Sequence, residues 1–402
     1  MAKNIADKIS KYAAKQVTPF SLRELFLHGQ ATGETRIRNT RFLHRELPVR
    51  LAQRLQDLNH LPGGLSFNPN IQSIIRLYTD YFVTLTDADT PRCVESERKY
   101  TELLEDVLED RNQVVLTIAR GVLELRAELG HHYNNQLSLN IKESLNRFFM
   151  ARTGLRFIME QHISGQESKQ RRGYSGVIQE QCRPYDVISA AAEEAQEICD
   201  RSMGEVPEVV INGDLDLQFT YVPTHMYYIV FELLKNSLRA TVEHCTSQGL
   251  EEDDFPPIEV VIARGKQDVT IKIADRGGGI PFTDVNKVWD FMYVCCRVQA
   301  QNFCSNQHHS SSSRYSTARP PEDIDFDIAG STSPILAGYG VGLPLCRIYA
   351  AYFGGGLHIM SMEGWGTDAY VHLSRLGDRC EALPRKVRES PGELDSNYST
   401  TG

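Results

Sequence analysis

Apolar residues recur at helical spacing through the first 165 positions of the chain. Leu51, Leu55 and Leu58 share one face, as do Ile71, Ile74, Ile75, Tyr78, Phe82 and Leu85. Leu104, Val107, Leu108, Val115, Ile118, Val122 and Leu125 carry one stripe through what reads as a single helix of about six turns. A further helix is expected near 145–163, with Phe148, Phe149, Leu155 and Ile158 on its apolar side. Pro48, Pro62 and the pair Gly63 and Gly64 lie between periodic runs, where helices are expected to stop. Amphipathic helices with short polar connections predict an antiparallel helical bundle over 1–165, with the apolar stripes as its core.

The stretch 164–173 is polar and glycine-flanked, and predicts an inter-domain linker centred on 166–176, with Lys169, Arg171 and Arg172 as solvated charges. Beyond it the period changes. A helix is expected over 187–203, short strands at 209–211 and 219–221, and a long helix over 225–244. Ile258, Val260 and Ile262, then Val269, Ile271 and Ile273, alternate around a turn at 265–268, which marks a hairpin. A helix near 342–352 precedes two strands, near 357–360 and 369–373. Helices beside hairpin-connected strands predict an α+β two-layer domain over 177–380, rather than a sheet wound by alternating strands and helices. Residues 299–333 carry no periodic signal and read as a lid, about 297–340. The pair His308 and His309 within it lacks a second ligand pair at metal-binding spacing. The polar stretch 381–402 reads as a flexible tail.

The length of 402 residues supports two domains, and no apolar run approaches the roughly 18 residues of a membrane-spanning helix, so membrane insertion is not expected. Acids outnumber bases 52 to 43, and the net charge of −9 argues against a nucleic-acid partner. The nine cysteines form no CxxC pair and no zinc-ligand spacing, and read as reduced thiols of an intracellular compartment. No apolar core of a secretory signal follows Met1.

Chemistry is concentrated in three places. Asp275, Arg276, Gly277, Gly278 and Gly279 follow an expected strand; the glycines let backbone approach a ligand, and the carboxylate can accept a hydrogen bond from an exocyclic amine. A tight turn explains this stretch equally well. Gly338, Tyr339, Gly340, Val341, Gly342, Leu343 and Pro344 open a helix, where backbone amides suit phosphate oxygens. Their spacing is neither the dinucleotide fingerprint nor the phosphate loop, and a glycine hinge is the plain alternative. On the helix over 231–240, Glu232, Asn236 and Arg239 fall at i, i+4 and i+7, either as a charge-paired surface or as the wall of a metal–phosphate cleft; Leu233, Leu234 and Leu238 point to the core.

Taken in order, with Gly364, Trp365, Gly366 and Thr367 following, these stretches resemble the boxes of the GHKL ATP-binding superfamily. Within it the chain resembles the mitochondrial α-ketoacid dehydrogenase kinases, of pyruvate and branched-chain type. The stretch 41–50 (RFLHRELPVR), the stretch 146–156 (NRFFMARTGLR) and the approach 221–225 (YVPTH) look like segments peculiar to those kinases.

The resemblance implies a serine kinase that inactivates the decarboxylase component of a mitochondrial α-ketoacid dehydrogenase complex, using ATP and Mg²⁺, in the matrix. It implies docking of the bundle on the lipoyl domain of the acyltransferase core, and a homodimer formed through the nucleotide domain. By the same resemblance Asn236 coordinates Mg²⁺ and Glu232 polarises the acceptor hydroxyl or a metal-bound water. Lys235 and Arg239 fall in the nucleotide-contacting segment, with Arg239 as a stabiliser of Glu232. Asp275 takes the adenine amino group, and Thr367 completes the base pocket. Gly277 and Gly279 pass close to the base, while Gly338, Tyr339, Gly340, Val341, Gly342 and Leu343 wrap the phosphates. Subfamily traits are mixed. Val294 and Cys295 stand where pyruvate-type kinases have Ser-Thr, Tyr228 matches the branched-chain type, an Asp-Trp motif near the end is absent, and Phe231 with the stretch 240–244 is pyruvate-like. A sensor histidine kinase would need a phosphoacceptor histidine centred on a dimerising helix, where this chain has Arg111 and Asn112. A non-catalytic scaffold would fit Val294, Cys295 and Tyr228 but not an intact Glu232 and Asn236.

Overall fold

The computed structural model describes residues 2–109, 114–293 and 340–383. Its first half is helix-rich: α1 (Ala2–Ala13), α2 (Leu22–Gly29), α3 (Gly33–Asn59), α4 (Pro69–Asp87), α5 (Val94–Glu109), α6 (Val114–Leu129) and α7 (Asn135–Ser164). Local signals start these helices. The Ser21 side chain accepts from the Glu24 amide while the Glu24 carboxylate accepts from the Ser21 amide, a reciprocal cap on α2. Asn68 caps α4 ahead of Pro69, and Asn134 caps α7. The apolar stripes meet in one core, in which Leu51, Leu55, Leu58, Ile71, Phe82, Ile118, Leu145 and Phe148 are fully buried.

One expectation needs correction. Helix α3 does not stop at Pro48 but runs through it. A proline inside a helix costs about 3 kcal/mol. Leu47, Leu51, Ala52 and Leu55 around it are fully buried, and each large side chain contributes about 1.5–3 kcal/mol on burial, so packing outweighs the local penalty. The stripe from Leu104 to Leu125 lies on α5 and α6, and residues 110–113 between them lie outside the described residues. Arg111 and Asn112 are among them. Helix α3 does end before Pro62, which opens a short turn in which Gly63 and Gly64 have φ of 69° and 80°.

The second half begins within the stretch expected as linker, where Tyr174–Ser175 forms β1 and pairs with β2 (Ile178–Cys182), itself paired with β4 (Phe219–Tyr221). Gln161 of α7 ties this small sheet to the bundle. Its amide nitrogen donates to the carbonyls of Leu25 and Ser175, and its oxygen accepts from the Val177 amide. The larger sheet has the order β3 (Val209–Gly213), β5 (Ile258–Arg264), β6 (Asp268–Ala274), β8 (Gly366–Ser374), β7 (Gly356–Met362). All its neighbours are antiparallel except β3 and β5, which the long helix α9 (Pro223–Ser247) separates in sequence. Helices α8 (Pro184–Met203), α9 and α10 (Gly342–Tyr352) form the second layer, with Ile258, Val260, Ile262, Val269, Ile271, Ile273 and Val371 buried beneath them.

The two halves share packing. Phe157 of α7 meets His225 of α9 and Tyr352 and Phe353 at the end of α10. Burial among these rings lowers the pKa of His225 to about 3, so it stays neutral there. Arg50 of α3 binds Glu46 at 3.0 Å and Glu381 at 2.6 Å. Burial alone disfavours its charge, and Glu381 more than offsets this, holding the pKa of Arg50 above its ordinary value. This pairing also anchors the chain leaving β8 against the bundle.

Candidate functional site

A cavity of about 310 Å³ opens between α9, the loop after β6 and the start of α10. Glu232, Leu233, Lys235, Asn236, Ser237, Arg239, Ala240 and Glu243 line it from α9, while Leu234 and Leu238 are buried away from it. The 3.6-residue period therefore separates a polar wall from a core face on one helix.

The loop after β6 supplies the opposite wall. Asp275 is buried at the strand end. Its Oδ1 accepts from the amides of Gly277 at 3.0 Å and Thr367 at 3.1 Å, and its Oδ2 accepts from the Ser237 hydroxyl at 3.0 Å. Burial raises the Asp275 pKa, against the opposing pull of these three donors. Gly278 and Gly279 have φ of 76° and 68°. A Cβ at Gly279 would collide with the Met362 carbonyl, so the loop passes the turn between β7 and β8 at a distance only glycine allows. Ser361 Oγ fastens the same loop: it accepts from the Ile280 amide at 2.7 Å and lies 2.9 Å from Thr367 Oγ1.

At the other end Gly340, Gly342, Leu343 and Pro344 bring the first turn of α10 to the cavity. A Cβ at Gly342 would collide with Glu232 Oε2, so the carboxylate lies against that helix N-terminus, where negative charge is favoured. Glu232 Oε1 pairs with Lys235 Nζ at 2.7 Å. Arg239 pairs instead with Glu243, at 2.7 Å. The expected role of Arg239 as partner of Glu232 is thus not what the geometry shows. Residues seven apart on a helix are separated by about 10 Å along its axis, whereas those three or four apart are neighbours. Asn236 is exposed into the cavity beside Glu232.

The structure thus brings Glu232, Lys235, Asn236, Arg239, Asp275, Gly277, Gly279, Gly340, Gly342, Leu343 and Thr367 to one cavity. Val341 does not join them: its side chain is packed in the core, as its place between two cavity-facing glycines allows. Gly338, Tyr339, Val294, Cys295, His308, His309, most of the lid at 297–340 and the tail beyond residue 383 lie outside the described residues. Sequence reasoning missed Ser237, Ser361 and Tyr293 of the site. For the serines a signal existed, because each places a hydroxyl on an otherwise apolar face, Ser237 among leucines and Ser361 in step with Leu357 and Ile359 on β7.

Chemically the cavity offers about 310 Å³ with a carboxylate at one end. At the other it offers glycine-lined backbone, a carboxylate and an amide oxygen. Among the described residues no group of three or more His, Cys, Asp or Glu could hold a metal alone. An exposed amide oxygen beside a carboxylate fits Mg²⁺, which keeps water and takes most of its remaining ligands from substrate phosphates.

Two family models match the chain. Residues 19–179 match the mitochondrial branched-chain alpha-ketoacid dehydrogenase kinase model, and residues 221–376 match the histidine kinase-, DNA gyrase B- and HSP90-like ATPase model. The mitochondrial [pyruvate dehydrogenase (acetyl-transferring)] kinase of Arabidopsis thaliana is 35% identical over 95% of this chain and 97% of its own length. The chain belongs to the mitochondrial α-ketoacid dehydrogenase kinase family. The corresponding kinase of Schizosaccharomyces pombe is 33% identical over 95% of this chain and 99% of its own. Isozyme 1 of Homo sapiens is 31% identical over 95% and 83%. Membership makes the protein an ATP-using protein kinase of the GHKL superfamily, and the relatives' names are those of mitochondrial proteins. In this α-ketoacid dehydrogenase kinase no described helix is long and apolar enough to cross a membrane.

Proposed function

We propose that this kinase transfers the γ-phosphoryl group of Mg-ATP to a serine of the decarboxylase component of the pyruvate dehydrogenase complex in the mitochondrial matrix. The observation that carries the reading is the shared cavity, with Asp275 at one end and Glu232 and Asn236 at the other, under the start of α10. The adenine amine donates to Asp275, and the triphosphate lies toward Gly340 and Gly342. Asn236 would hold Mg²⁺, which when bound would supply positive charge against the phosphoryl oxygens. Glu232, held by Lys235, accepts the proton of the attacking serine hydroxyl. Positioning and charge neutralisation supply most of the rate, because the transferring group passes through a loose transition state. The products are ADP and a phosphoserine with close to two added negative charges, enough to close a substrate channel.

Two partners belong to this reading. Support for lipoyl-domain docking is a small pocket in the bundle lined by Phe20, Leu25, His28, Phe42, Leu43 and Ile158. Support for a homodimer through the nucleotide domain is the exposure of Met360 and Met362 on β7, the edge strand of the larger sheet. A branched-chain substrate is the second reading, favoured by Tyr228 and by the description of the family model that matches the bundle. The test offers purified pyruvate and branched-chain decarboxylase components side by side with labelled ATP, and maps the modified residue. Phosphoserine on the pyruvate component is expected. Label on the branched-chain component alone would move the assignment to the second reading, and label on neither would remove both.

A further inference from the structure

The oxygens of Asp275 are nearly all spoken for, and this bears on which base the site accepts. A carboxylate offers about four lone-pair sites. Two on Oδ1 are taken by the amides of Gly277 and Thr367, and one on Oδ2 by Ser237 Oγ at 3.0 Å. Ser237 is itself buried between α9 and the strand end, so water does not compete for that bond. One acceptor site remains, on Oδ2, in the cavity wall.

We infer that Ser237 is a specificity-determining residue: with Oδ1 already held by two amides, its hydroxyl takes one of the two remaining acceptor sites on Oδ2, leaving a single one for the amine of adenine and none for guanine's second donor. This rests on the nucleotide reading above. Guanine presents an N–H and an adjacent amino group side by side, which a carboxylate with both oxygens free can take as a pair. The two amides keep Oδ1 from the base in any case, and the Ser237 hydroxyl takes one of the two sites on Oδ2, so the pair of acceptors guanine needs is not available. Adenine needs only one acceptor. Selectivity between bases then comes from what the site withholds as much as from what it offers.

Ser237 also steadies the charge. Burial raises the Asp275 pKa and the Ser237 hydrogen bond lowers it, so removing the hydroxyl moves the titration upward. Other charges face the same space: Arg239, Glu243 and His244 from α9, Asp368 from β8, Glu363 from the β7–β8 turn, and Arg276 beside Asp275. They are the same in wild type and variant, so a difference between the two reports on Ser237.

The test measures ATP and GTP binding to the full chain by calorimetry with Mg²⁺, for wild type, Ser237→Ala and Ser237→Thr, between mildly acidic and neutral pH. Wild type is expected to prefer ATP strongly. Ser237→Ala should change ATP affinity at neutral pH only a few-fold, because the hydroxyl bonds the carboxylate and not the base. Its preference for ATP over GTP should narrow, and its acid-side loss of ATP binding should begin at higher pH. Ser237→Thr, which keeps the hydroxyl, should restore the preference and the pH profile. A Ser237→Ala variant with wild-type preference and wild-type acid limb overturns the inference, even if it melts at lower temperature. Wild type that takes no ATP overturns the nucleotide reading itself, a separate failure.

Discussion

Glu232→Gln is expected to cut serine phosphorylation by about 10³-fold while ATP affinity changes only a few-fold. General-base assistance is worth on the order of 10²–10⁴ in rate, and the amide keeps the shape of the side chain while losing the basic oxygen. The geometry separates this effect from binding. Glu232 lies against the first turn of α10 and is paired with Lys235 at 2.7 Å, whereas the base end of the cavity is built from Asp275, Ser237 and Thr367. Initial rates with labelled ATP, set beside calorimetric ATP affinity, check both halves. A variant with undiminished rate would remove Glu232 from the chemistry. One that loses ATP binding in parallel would make it a nucleotide ligand instead.

The second large effect belongs to Asp275→Asn. The amides of Gly277 and Thr367 require an acceptor, so the new side chain must turn its oxygen toward them and its amino group toward the cavity. There it meets the adenine amine, donor against donor. Losing a charge-assisted hydrogen bond and gaining this mismatch should weaken ATP by about 100-fold or more. The protein should stay folded, because burial already disfavours the charged form of this group. A melting curve close to wild type with ATP affinity strongly reduced is the expected pair of results. Unchanged affinity would place the base elsewhere.

Much of this architecture can be read from the chain alone, for identifiable physical reasons. The stripes through Leu51, Ile71 and Leu104 bury because a 3.6-residue period leaves one apolar side, and the same period places Glu232 and Asn236 on one wall of the cavity. The hairpin at 265–268 is local and follows from alternation. What escaped notice is mostly non-local. Nothing in the run 209–213 says that it lies parallel to 258–262, and nothing near Arg50 announces Glu381, 331 positions away. Pro48 misleads because its local cost is real but smaller than the burial around it. Arg239 misleads because a shared helical face is not contact: Glu243, one turn away, takes it first. Ser237 gives little signal in sequence because leucines surround it and its partner Asp275 comes 38 residues later.

The most direct measurement is a calorimetric titration of ATP into wild type and Asn236→Ala, each with Mg²⁺ and with a chelator in its place. Asn236 is the protein oxygen assigned to the metal, so wild type should bind ATP at least tenfold more tightly with Mg²⁺. Asn236→Ala should lose that gain while matching wild type in chelator. An equal Mg²⁺ gain in both proteins would contradict the assignment of the cavity between α9 and α10 as the metal–nucleotide site.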